Sequence, residues 1–169
     1  MSIIFSIAIN SNNFNLPNDA EFINGICSSL PEHSAPALLV ALASHNSSMV
    51  QCTIASRSDL PVEAVECLIA GGNRQVRRTL VHNDVFKTSA NTDLLIEWCA
   101  DDAEFAAAAA SQVMEFENAD TERLFAVLSE HVDTDVRREL ARAWNLPKSK
   151  RKKFLNDADF GVARIASEN

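Results

Sequence analysis

The chain has 169 residues, 47% hydrophobic and 22% charged, with 15 Lys and Arg against 23 Asp and Glu for a net charge of -8. That balance excludes wholesale disorder, and the length suits one domain with a real core. Four glycines and five prolines are too few turn formers for a many-stranded sandwich, whereas the Ala, Leu, Glu and Arg content favours helix, so the chain reads as all-α.

In chain order, the opening MSIIFSIAIN is apolar but has no basic flank, and its run is far short of the roughly 20 residues that a membrane span needs. Nothing in it suggests export or a membrane, so the expected setting is cytoplasmic. The stretch NNFNLPNDAEFINGICSSL predicts one helix from about Pro17 to Leu30, with Phe22, Ile23 and Ile26 on one face. Residues 1–32 are therefore expected to cap the rest of the chain, and the role of residues 1–10 stays open.

From residue 33 the sequence repeats itself. NRQVRRTLV at 73–81 returns as DTDVRRELA at 133–141, and such recurrence points to repeat architecture. Aligning the two phrases yields three columns. The first holds Leu42, Leu68, Trp98, Leu128 and Phe154; the second Val50, Val76, Ala106, Val136 and Val162; the third Ile54, Leu80, Ala110, Leu140 and Ala166. All three step by 26, 30, 30 and 26 residues. Five two-helix repeats result, over about 33–59, 60–90, 91–119, 120–147 and 148–169.

Each repeat decodes physically. Ser47, Asn73, Asp133 and Asp159 stand three residues before the second column, where a side-chain oxygen can accept from the unpaired N–H groups of a first helical turn. The second and third columns, four residues apart, share one helix face. The preceding segment, such as Val65–Ile69 or Leu124–Leu128, supplies an apolar first helix. Pro61 and Pro147 fall where the next helix opens and a missing N–H costs nothing. A pair of 26 to 30 residues cannot bury its apolar faces alone, so the pairs are expected to stack into one α-solenoid that forms a single domain.

DLPVEAVECLIAGGNRQVRRTLVHND at 59–84 and DTERLFAVLSEHVDTDVRRELARAWNLP at 120–147 resemble units of bacterial leucine-rich repeat variant proteins, with a weaker likeness to HEAT-like repeats in general. The resemblance covers roughly residues 33–169. It implies a right-handed superhelix of short helices and no single activity. FAAAAAS replaces the VRR phrase in the third repeat, and Val50-Gln51-Cys52 stands there in the first. Some leucine-rich repeat variant proteins carry an N-terminal cysteine cluster for an iron–sulfur centre; residues 1–32 hold only Cys27, so no cluster is expected.

Candidate site residues are few. Arg77-Arg78 and Arg137-Arg138 follow the valine column, with Ala107–Ala110 between them in sequence. They could wall a shallow groove for an acidic or phosphorylated partner, since guanidinium forks bind carboxylate and phosphate bidentately, or they could neutralise Asp102, Asp133 or Asp135 and brace helix ends. Trp98 reads as core. Trp144 could be an exposed anchor of the kind enriched at interfaces, but the reading preferred here is a plug at the junction with the last repeat.

His45 and His131 occupy equivalent turn positions. Stacked repeats lie about 10 Å apart, too far for shared metal ligation. Cys27, Cys52, Cys67 and Cys99 form no CxxC pair and read as free thiols. No catalytic residue, metal or cofactor site is expected, and GxSxG, HExxH, P-loop and GxGxxG motifs are absent.

The charge distribution sets the function classes. Between Glu97 and Asp135 eleven acids face one base, Arg123, which repels a phosphate backbone at long range. KSKRKK at 148–153 has the opposite sign. It could be a nucleic-acid or nuclear-import tag, though the reading kept is a solvated helix start. The expected function is a non-catalytic protein-binding scaffold. The alternatives are a HEAT-like nucleic-acid binder related to DNA glycosylases and an acidic inhibitor or DNA mimic. Apolar Phe160, Val162 and Ile165 in the short last repeat could drive homo-oligomerisation if exposed.

Overall fold

A chain of short helices must dispose of many unpaired N–H groups, and this one places a side-chain oxygen at most helix starts. The computed structural model describes residues 6–9, 12–15 and 19–168. Asp19 accepts from the Phe22 N–H at 2.8 Å and opens α1, Ala20–Ser29. Next come α2 (Pro36–Ala43), α3 (Ser48–Ala55), α4 (Val62–Gly71), α5 (Arg74–Leu80) and α6 (Asp84–Ser89). Beyond them lie α7 (Thr92–Asp101), α8 (Ala103–Ser111), α9 (Thr121–Ser129), α10 (Thr134–Arg142), α11 (Lys148–Arg151) and α12 (Phe160–Glu168). Two 3-10 turns, Val113–Glu115 and Lys152–Asn156, complete the helical part.

The all-α expectation holds from residue 19 onward, with one addition before it. β1 (Ser6–Ile9) and β2 (Asn12–Asn15) form an antiparallel pair with Ser6 opposite Asn15 and Ile9 opposite Asn12. Helix α1 starts at Ala20 rather than about Pro17, because Asp19 takes the capping role. Its buried face is Ile23 and Cys27, whereas Phe22 and Ile26 are only half-buried. Pro17, Ile3, Ile4 and Phe5 lie outside the described residues.

Two compact units divide between Val85 and Phe86, within α6. In the first, α1, α3 and α5 stack in sequence along one row while α2 packs on α4 in another. In the second, α8, α10 and α12 stack in one row and α7 packs on α9 in another. Each unit is thus built of two rows of short helices, with contacts α2–α3 and α7–α8 tying row to row.

All fifteen column residues are buried, none more than 9% exposed. In the odd third repeat Trp98 replaces leucine where the next two columns hold Ala106 and Ala110, one larger side chain accompanying two smaller ones, and all three are buried. The Trp98 ring stacks on Phe86 at 5.7 Å and meets Phe105 edge-on at 5.3 Å, geometries favoured by the ring quadrupoles. Trp98 is core, as expected. Ala109 and Ala110 are fully buried on α8, which packs against α10.

Helix ends are closed by polar side chains, local at the N-termini and more distant at some C-termini. Asn73, Asp133 and Asp159 accept from Val76, Asp135 and Val162 N–H groups, as their spacing predicts. Ser47 precedes α3 but makes no side-chain cap bond. Its N–H instead donates to His45 Nδ1 at 3.0 Å. Buried Gln51 donates to the Ala43 carbonyl at 3.2 Å, and buried Asn83 to the Ala55 and Arg57 carbonyls at 3.1 and 2.7 Å. These are the carbonyls that a helix leaves without internal partners.

Candidate functional site

In the first compact unit the polar groups mostly serve the backbone. Arg57 forks onto Asp59 with both contacts at 2.8 Å, and also donates to the Leu30 and Pro31 carbonyls. Asp59 in turn accepts from the His33 N–H at 2.7 Å, and His33 sits at φ 63°, in the left-handed region. The Arg57 guanidinium and that N–H hold the Asp59 carboxyl down at about 2. This clasp fixes the loop between α1 and α2.

A concavity of about 490 Å³ in this unit is lined by Ser44, His45, Asn46, Gln51, Cys67 and Asn73, among others. His45 Nδ1 is already an acceptor, so the proton of the neutral ring lies on Nε2. His131 repeats the device in the second compact unit, accepting from the Asp133 N–H at 3.1 Å. The equivalence of the two histidines therefore has a local cause: each ring closes the turn ahead of a helix, α3 for His45 and α10 for His131.

The arginine pairs divide between the compact units. Arg77 and Arg78 lie half-buried on α5 in the first. In the second, Arg137 forks onto Asp157 at 2.9 and 3.0 Å and donates to the His131 and Val132 carbonyls at 2.8 and 3.3 Å. That fork holds the Asp157 carboxyl below the usual carboxylate range. Arg138 bonds Asp135 and lies 3.8 Å from Asp159. The structure thus commits Arg137 and Arg138 to carboxylates and a turn of their own unit.

The basic run is a set of braces. Arg151 is buried, its Nε donating to the Ala141 carbonyl at 3.1 Å and its Nη2 to that of Ala143 at 2.8 Å. Lys150 bonds Glu122 and lies 4.6 Å from the Phe125 ring centroid. Lys153 bonds Ser129 at 2.8 Å and Glu130 at 3.0 Å. A run that reads as solvated cations instead carries three tertiary anchors. Lys148 and Lys152 are left exposed, beside a pit of about 290 Å³.

Trp144 requires a correction. It is 81% exposed and plugs no junction. It stands in a turn closed by the Leu146 N–H donating to the Ala143 carbonyl at 3.1 Å. Ala143 and Leu146, each 3% exposed, take the buried positions on either side and leave the indole outward. In the last repeat Val162 and Ile165 are buried, so of Phe160, Val162 and Ile165 only Phe160, at 80%, is outward. Val132 is also exposed, at 93%.

All four cysteines are free, with Cys27 and Cys99 buried; burial pushes Cys99 up to about 12 and raises Cys27 as well. Among the described residues no cluster of three or more metal-ligating side chains occurs, and no helix is long and apolar enough to cross a membrane. No protein-family model, no curated protein and no solved structure matches the chain.

Proposed function

We propose that the protein is a non-catalytic protein-binding scaffold, built as a right-handed α-solenoid of five two-helix repeats of the leucine-rich repeat variant or HEAT-like kind, and that it works in the cytoplasm. The buried columns and the two-row stacking within each compact unit support the repeat reading. Several polar groups are engaged by the backbone or by one another: His45 and His131 by turn N–H groups, Arg57 and Arg137 by carboxylates and carbonyls.

The observation that carries the functional reading is Trp144. A tryptophan held 81% exposed by a turn whose flanking residues are locked into the core is an anchor ordered before its partner arrives. Rigid aromatic anchors dominate binding energy at interfaces. Panning a displayed random-peptide library on the protein tests this. The expected ligands bind Trp144→Ala at least tenfold more weakly, while its melting temperature stays within about 1 °C of the parent. Failure to enrich any ligand, or ligands indifferent to Trp144→Ala, would overturn the proposal, as would salt-sensitive retention on duplex DNA in their place.

A further inference from the structure

We infer that the pit beside α11 takes a short acidic segment of a partner protein, one with an aliphatic side chain set among its carboxylates. This rests on the scaffold reading above and names the chemistry of the partner. The pit, about 290 Å³, is lined by Lys148, Arg151, Lys152, Leu155, Ala166 and Ser167. Drug-sized ligands occupy roughly 300–1,000 Å³, so this space suits one side chain and a charged neighbour.

Charge selects the occupant. Three cations and, among the described residues, no carboxylate line the pit, in a chain whose net charge is -8. Arg151 is spent on the Ala141 and Ala143 carbonyls, and Lys150 and Lys153 on Glu122 and on Ser129 and Glu130. Among the described residues the Lys148 and Lys152 ammonium groups have no such partner. They lie four residues apart at the pit's edge, both exposed. Leu155, 44% exposed, offers the apolar surface that an aliphatic side chain would cover.

A nucleic acid fits less well. The chain's negative charge repels a polyanion over its length, whereas a segment a few residues long meets the two lysines within one Debye length of about 8 Å. An apolar wall gives a phosphate nothing, but rewards a leucine.

The test is fluorescence anisotropy at 150 mM salt with labelled acetyl-Glu-Asp-Leu-Asp-Glu-amide. Controls replace its leucine by serine, or its carboxylates by amides. The parent protein is expected to bind the first peptide at least fivefold more tightly than the serine control and at least tenfold more tightly than the amide control. The double variant Lys148→Glu, Lys152→Glu, and the milder Lys148→Gln, Lys152→Gln, are expected to bind it at least tenfold and threefold more weakly, with unchanged melting temperatures.

Three results would overturn the inference: no binding by the parent protein, equal binding of the serine control, or equal competition by inorganic phosphate or an oligonucleotide. If the peptide fails while library ligands still depend on Trp144, the pit assignment falls and the scaffold reading stands. If the peptide binds as described but nothing depends on Trp144, the anchor is misplaced and the pit remains.

Discussion

Arg151 offers the sharpest separation between a basic tag and a structural brace. Its guanidinium donates to the Ala141 and Ala143 carbonyls at 3.1 and 2.8 Å, beneath a surface that leaves the residue 7% exposed. Arg151→Ala removes both bonds and leaves two carbonyls at the end of α10 without those donors. A hydrogen bond to a charged group contributes about 1.5–3 kcal/mol. With water entering to satisfy part of the loss, the net cost comes to about 3 kcal/mol. Lys148→Ala and Lys152→Ala touch only exposed ammonium groups and should stay within about 0.5 kcal/mol.

Urea unfolding followed by circular dichroism reads the difference. With m of about 1–3 kcal/mol per M, the Arg151→Ala midpoint should fall by roughly 1 M or more. Arg151→Lys, which keeps the charge but not the fork, should recover less than half. An Arg151→Ala midpoint equal to that of Lys148→Ala would refute the bracing account of the basic run.

Three further outcomes are expected from the same structure. Asp59 has its pKa depressed to about 2 by Arg57 and the His33 N–H. Its contribution of about 1–2 kcal/mol is therefore full above the unfolded value near pH 4 and lost as pH falls towards 2. Asp59→Asn should be less stable than the parent at pH 7, with the gap shrinking as pH falls from about 4 through about 2, and a gap as large at pH 2 as at pH 7 would contradict this. At Gly72 a Cβ would collide with the Leu68 carbonyl, whereas at Gly25 it would meet nothing within 4 Å. Thermal melts should show Gly72→Ala destabilised by about 1–3 kcal/mol and Gly25→Ala, inside α1, stabilised by about 0.5–1 kcal/mol. In a thiol titration of the native protein, the half-buried Cys52 and Cys67 should react first and Cys99 last, its pKa being about 12. Early labelling of Cys99 would refute its burial.

How much is legible in the sequence depends on the range of each force. Column residues such as Val76, Leu80, Val136 and Leu140 announce themselves because burial is periodic and local geometry sets the period. Asn73, Asp133 and Asp159 are readable for the same reason, since a cap acts within one turn of its helix. Arg151, Lys150 and Lys153 are not, because their partners Ala141, Glu122, Ser129 and Glu130 lie 10 to 28 residues away and meet them only after folding. Trp144 misleads because a large apolar residue in a turn is ordinarily drawn inward. Here Ala143 and Leu146 occupy the inward positions, so the indole is left outside. The strand pair at residues 6–15 escapes a reading of the sequence because Ser6–Ile9 and Asn12–Asn15 are only four residues each, too short for alternation to stand out.

The structural claim beneath all of this is that corresponding helices share an interior through the repeated columns. Methyl-to-methyl nuclear Overhauser effects in protein labelled at Ala, Val and Leu test it most directly. Helices α8 and α10, and α10 and α12, are packed together, so cross-peaks should link Ala106 and Ala110 to Val136 and Leu140, and these in turn to Val162 and Ala166. Val136 and Leu140 methyls that show no such cross-peaks, and are instead bleached by a soluble paramagnetic probe, would contradict it.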